Sequence, residues 1–182
     1  MSEVRYAAFL RAINVGGRNP VPMAGLRRLF ETAGYTGVKT ILQSGNVLFG
    51  APSSNLDTLA RKLGARLRKW LGHDVAVMVR PLAELGALVE SDPFRGCAIE
   101  PDAKKYVAFL GASPIRKPSL PFVSEHDGLE AFAVKRRAVF IVSRKVKGRF
   151  GFPNDFIESR LGVLATSRNW NTIERIVKAE PR

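Results

Sequence analysis

Gly16 and Gly17, flanked by Arg11, Asn14, Arg18 and Asn19, are residues of the types that hold an anion. Glycines let the backbone turn its N–H groups inward, and a helix predicted directly after them would add the positive end of its dipole. Guanidinium forks and side-chain amides can then make directed hydrogen bonds to a phosphate or carboxylate. A tight connection between strand and helix also explains this composition, because Asn and Gly tolerate left-handed backbone. Gln43-Ser44-Gly45-Asn46 is a second polar cluster, with the chemistry of a hairpin turn and with Gln43, Ser44 and Asn46 as candidate ligand contacts. The third is Thr166 to Thr172, where Arg168, Asn169, Trp170 and Asn171 crowd together. Helix capping by Ser167 or Asn169 and inward packing of Trp170 account for part of that cluster, but not for Arg168 beside Asn171. Finally, Lys135 to Arg149 holds seven basic and no acidic residues, with Phe150, Phe152 and Phe156 close behind. Such a run is either a solvated face or a groove that tracks phosphates, with aromatic rings available to stack on bases.

Several kinds of chemistry are disfavoured. The glycines around position 16 lack both the Lys-Ser/Thr of a P-loop and the spacing of a dinucleotide turn. Ser44 lacks the upstream glycine of a nucleophile elbow. Glu125-His126-Asp127 could seat an imidazole, although neighbours on a loop point in different directions. A single cysteine, Cys97, and two distant histidines, His73 and His126, give neither a disulfide nor a zinc cluster. No catalytic residue, metal or cofactor is therefore assigned. The 29 Lys and Arg against 16 Asp and Glu leave a net charge of +13, which favours anionic partners. Val4 to Leu10, the first apolar segment, is too short for a signal or a membrane span, so a cytoplasmic protein without membrane insertion is expected.

The elements that must position these residues follow from periodicity. Val4 to Leu10 reads as a buried strand, followed by a helix on Met23, Leu26, Leu29, Phe30 and Ala33 that stops at Gly34. Val38 to Leu42 and Val47 to Phe49 form a hairpin about residues 43–46. Leu56, Leu59, Leu63, Leu67 and Leu71 mark a helix whose remaining faces carry Arg61, Lys62, Arg66, Arg68 and Lys69. A strand at Val75 to Val79 and a helix ending near Asp92-Pro93 complete the first half. In the second half, strands are expected at 129–134, 138–142 and 163–165, with helices starting at Pro153 and near Trp170, the latter capped from Thr166-Ser167.

The second half begins as the first does. Arg5 to Ala12 and Lys105 to Ala112 are identical at five of eight positions, an offset of 100 residues. That repeat implies a duplication and an α+β fold of two ferredoxin-like β-α-β-β-α-β units, with largely antiparallel sheets and helices packed on their faces. The expected units are residues 1–92 and 93–182. Pro114, Pro118 and Pro121 put an extended loop where the second copy should have its first helix. Up to Ser91 there are 12 basic and 6 acidic residues, and after it 17 and 10, so both halves are positive.

Phe9 to Met23, Thr40 to Phe49 and Thr166 to Thr172 together resemble the three signature segments of the domain of unknown function 1697 family, in the family's order. Two positions depart from that pattern: Ala12 where the family usually has Gly, and Ser167 where it has Thr. The resemblance implies a bacterial cytoplasmic α/β protein with two ferredoxin-like halves, and implies no activity. It marks Arg11 to Asn19, Gln43 to Asn46 and Arg168 to Asn171 as what such proteins have in common. The reading that follows is a binding module for an anionic ligand, nucleic acid or a phosphorylated small molecule. In it Arg11, Arg18 and Arg168 engage charge, and Asn14, Asn46 and Asn169 orient the ligand. The alternatives are an enzyme acting on a phosphate ester or amide without a metal, and an interaction protein for an acidic partner.

Overall fold

A computed structural model describes residues 3–14 and 20–180. From Tyr6 onward β1 (Glu3–Leu10) is buried on both faces, as a continuous apolar run without alternation requires of a central strand. It pairs antiparallel with β3 (Asn46–Pro52), Ala7 opposite Leu48, and with β4 (Val77–Pro81), Ala7 opposite Arg80. β2 (Thr36–Ile41) joins the far side of β3, giving the order β2-β3-β1-β4. Between these strands run α1 (Met23–Thr32) and α2 (Leu56–Leu71), with α3 (Leu82–Ser91) after β4.

One face of this sheet, carrying Tyr6, Ala8, Leu10, Val47 and Phe49, packs with Leu26 and Phe30 of α1 and with Leu59, Leu63 and Leu67 of α2. Residues of the opposite face, Ala7, Phe9, Leu48, Met78 and Arg80, are buried as well. The ends of α2 are set by local chemistry. Asn55 accepts hydrogen bonds from the backbone N–H groups of Asp57 and Thr58, and Gly72, at φ 79°, returns its own N–H to the Arg68 carbonyl.

The second unit has β5 (Lys104–Leu110), β6 (Phe122–Ser124), β7 (Leu129–Lys135), β8 (Ala138–Ser143) and β11 (Ala165–Asn169) in the order β11-β5-β8-β7-β6. A short ribbon, β9 (Lys145–Val146) with β10 (Arg149–Phe150), follows β8. Its helices are α4 (Pro153–Leu161) and α5 (Trp170–Lys178). Tyr106, Ala108, Val139, Ile141 and Ala165 form a core with Phe156, Ile157 and Leu161 of α4. Phe94, Phe132, Phe140 and Trp170 meet edge to face or tilted at centroid distances of 5.3 to 6.5 Å.

Both sheets are antiparallel throughout, and the fold is mixed α+β with five helices among the described residues. No helix lies between β5 and β6, where prolines at 114, 118 and 121 deny the backbone the donors a helix needs. The last strand runs over Ala165–Asn169 instead of residues 163–165, because Thr166 and Ser167 extend the ladder with β5 instead of capping a helix. Chain contacts divide the protein into one unit ending at Ala87 and a second spanning Leu88–Lys178, with Ala179 and Glu180 belonging to the first. Arg5 and Lys39 hold the Glu180 carboxylate there. Among the described residues no helix is long and apolar enough to cross a membrane.

Candidate functional site

In the first unit, β1 delivers the chain into the loop that begins at Arg11, and β2 and β3 deliver the turn at 43–46. The structure joins these two segments. The Leu10 N–H donates to the Gly45 carbonyl at 2.9 Å, and Asn14 Nδ2 donates to the Gln43 carbonyl at 2.7 Å. Asn14 also donates to the Val21 carbonyl at 3.0 Å and accepts from the Val21 N–H at 2.7 Å, closing the loop at its base. Its φ of 54° is one Asn tolerates. Asn14 is thus bonded to backbone through both ends of its amide.

Asn46 is equally committed. Buried at 1% exposure, it donates to the Ile41 carbonyl and to Ser44 Oγ. Gly45, at φ 73°, lies so close to Ile13 that an added Cβ would stand 2.6 Å from its Cδ1. Arg11 is half-buried, with its N–H donated to the Ala76 carbonyl, and Gln43 is exposed. Gly16, Gly17, Arg18 and Asn19 lie outside the described residues.

The third segment splits across its sheet. Arg168, opposite Val107, is buried and donates through Nη1 to Thr166 Oγ1 at 2.8 Å and to the Ser167 carbonyl at 2.9 Å. Burial disfavours its charged form and lowers its pKa to about 10. Trp170 is 4% exposed, its ring packed within the aromatic cluster, and it borders the recess lined by Asn169 and Asn171. Asn169 caps α5 by accepting the Asn171 N–H, and Asn171 is exposed. Ser167 donates its N–H to Asn154 Oδ1, while its own buried hydroxyl has no hydrogen-bond partner among the described residues.

Asn169 and Asn171 line a recess of about 330 Å³ together with Lys104, Lys105, Asp92 and Glu174. Lys104 also reaches Phe150, its Nζ 4.2 Å from the ring centroid, and Lys145 Nζ lies 5.4 Å from the same ring. Beyond Phe150, Lys147 and Arg149 line a cavity of about 810 Å³ with Glu125, His126 and Asp127. Phe152, 56% exposed, rests edge-on against Tyr106. Lys145 pairs with Asp102 at 3.7 Å.

The sequence profile of a protein of unknown function, DUF1697, matches residues 4–140. The chain belongs to that family. A conserved bacterial protein of Streptococcus pneumoniae shares the fold, with a TM-score of 0.66 over 97% of this chain and 98% of that one at 20% identity. Among curated proteins none matches the sequence. The DUF1697 match includes the first two signature segments and ends before the third.

Two features of this DUF1697 protein bear on catalysis. Ser124 Oγ donates to Asp127 Oδ2 at 2.8 Å, and His126 Nδ1 lies 3.2 Å from Asp127 Oδ1. Those contacts, that of Ser124 first, hold the Asp127 carboxyl below its ordinary range. An activated serine needs the imidazole between hydroxyl and carboxylate, whereas here the carboxylate stands in the middle and His126 is 97% exposed. Among the described residues no group of His, Cys, Asp and Glu is placed to hold a metal.

Sequence reasoning missed Arg80. It is 2% exposed and donates to the carbonyl of the preceding residue, Val79, as Arg168 does to that of Ser167. Its register partner is Ala7, as Val107 is for Arg168. The 100-residue repeat aligns Ala7 with Val107, but the two arginines are 88 residues apart, so the repeat offset alone does not pair them and only the strand registers do.

Proposed function

We propose that this protein binds single-stranded nucleic acid along the second unit, over Asn169 and Asn171, Lys104 and Lys105, Phe150, and Lys147 and Arg149. The observation that carries the reading is the pair of ammonium groups gathered on one ring, Lys104 and Lys145 on Phe150, with Phe152 exposed two residues on. Cation–π contact orders two lysines that would otherwise sample many rotamers, so less entropy is lost when they meet phosphate. Phe152 is then the ring free to stack on a base. Asp92, Asp102, Glu125, Asp127 and Glu174 border the strip, so long-range attraction comes from the net charge of +13 and the local contacts are few. In a bacterial cytoplasm, nucleic acid is the abundant ligand of that kind.

The fold reading behind this is a duplicated ferredoxin-like β-α-β-β-α-β unit. It is supported by the matching antiparallel orders β2-β3-β1-β4 and β7-β8-β5-β11, by the aligned repeat at residues 5–12 and 105–112, and by the equivalent registers of Arg80 and Arg168.

Fluorescence anisotropy with a mixed-sequence single-stranded RNA or DNA tests the proposal. Five phosphate contacts, one each from Lys104, Lys105, Lys145, Lys147 and Arg149, predict a slope of about −3.5 in log K against log salt. Lys104→Glu with Arg149→Glu should weaken binding at least about tenfold, and Phe152→Ala by about tenfold as a stacking loss. Absent or salt-insensitive binding, or binding indifferent to these substitutions, would remove it.

A further inference from the structure

A cavity of about 580 Å³ in the first unit lies between the end of α1, the end of β3 and α2. Its polar lining is dominated by Tyr35, Lys62 and Arg66, and its apolar lining includes Ala33, Ala51 and Leu59. No Asp or Glu is among the lining residues. Lys62 and Arg66 are four residues apart on α2 and therefore share a face, where two like charges repel. Neither side chain has an ion pair or hydrogen bond among the described residues. Of the other basic side chains of α2, Arg61 contacts Thr58 Oγ1 and Arg68 pairs with Asp74, while Lys69 makes no such contact among the described residues.

Tyr35 completes the arrangement. Its ring is fixed against Phe49 at 4.8 Å and Phe30 at 5.9 Å, and its hydroxyl makes no hydrogen bond among the described residues. Burial raises the phenol above its ordinary range, with Arg66 opposing, so the group stays protonated near neutrality and can donate.

We infer that this cavity is a binding site for a phosphomonoester, the dianionic phosphate held by Lys62, Arg66 and the Tyr35 hydroxyl, and the organic part lying on Ala33, Ala51 and Leu59. Two positive charges match the two negative charges of such a group, and guanidinium and phosphate bond through two parallel contacts. The volume falls within the range of small-molecule sites. Relief of the repulsion between Lys62 and Arg66 adds to the preference for a dianion. The inference does not rest on the nucleic-acid reading, whose residues all belong to the second unit.

Phenyl phosphate titrated into the ¹⁵N-labelled full chain, with phenol as the uncharged control, is the test. Amide shifts should appear at Leu59, Lys62, Ala65 and Arg66 with phenyl phosphate and be absent with phenol. Arg66→Ala should weaken binding at least about tenfold, the loss of its two charge-assisted contacts. Lys62→Ala with Arg66→Ala should abolish it while the spectrum otherwise keeps its dispersion, since both side chains are exposed on α2. Lys104→Glu with Arg149→Glu should leave it unchanged. Shifts elsewhere, equal shifts with phenol, survival of binding in the double alanine variant, or no shifts up to about 10 mM would each overturn the inference.

Discussion

Asn14 separates two explanations of a signature residue, ligand contact and structural tie, and the structure favours the tie. Replacing it by Ala deletes three hydrogen bonds, two to the Val21 backbone and one to the Gln43 carbonyl. At roughly 1 kcal/mol for each neutral hydrogen bond, the loss is about 3 kcal/mol. The substitution also places an alanine at φ 54°, which costs about 1 kcal/mol more. Asn14→Ala should therefore destabilise the first unit by about 4 kcal/mol, and Asn14→Gly, which tolerates the dihedral, by about 3 kcal/mol. Urea unfolding reads this out in a Trp170→Phe background, where emission reports Trp70 alone. Trp70 lies in the same unit, packed over Gly25. The midpoint should shift at constant slope. If Asn14→Ala and Asn14→Gly each cost less than about 1 kcal/mol, the tie is not what the residue is for, and equal costs for the two would remove only the backbone contribution.

Ala12 stands at φ 55°, so Ala12→Gly should raise stability by about 0.5–1 kcal/mol in the same assay. Ser167→Ala should be neutral or stabilise by about 1 kcal/mol, because it removes a buried hydroxyl that no partner satisfies; a large loss in thermal melts would mean that the hydroxyl is used. Tyr106 and Tyr35 both have pKa values raised by burial. Above pH 10 the unfolded phenols ionise while the folded ones hold their protons, so these two groups withdraw stability as pH rises past 10, against the opposite contribution of buried Arg168. Tyr106→Phe should lessen that loss in denaturation measured across the alkaline range, and a curve unchanged by the substitution would contradict it.

The parts of the fold legible in the sequence were those fixed by local chemistry. Leucines at helical spacing between Asn55 and Gly72 specify α2 to the residue, and the prolines after Leu110 forbid a helix there. What stayed hidden depended on partners remote in sequence. The end of β11 is set by pairing with β5, so Thr166 and Ser167, which look like caps, become strand. The ribbon at 145–150 is two residues wide on each side, too short for any periodic signal, and within the basic run it read only as charge. Of the site, the link between the Asn14 loop and the 43–46 turn involves backbone carbonyls, which every residue carries and composition cannot reveal. Trp170 and Arg168 read as a polar cluster because neighbours in sequence point to opposite faces of a strand or begin a helix only on folding.

The loop that stands where the repeat leads one to expect a helix runs into β6, three residues long and preceded by Pro118 and Pro121. A free margin this short offers an incoming chain almost no template for hydrogen bonding, and proline upstream blocks its extension. At the corresponding margin of the first sheet, the register of β2 slips between Thr36 and Lys39, and Gly37 there has φ 52°. Intermolecular strand addition therefore meets an interrupted border at the β2 edge and at the β6 edge, which shields the apolar central strands β1, β3, β5 and β8 from pairing on that side.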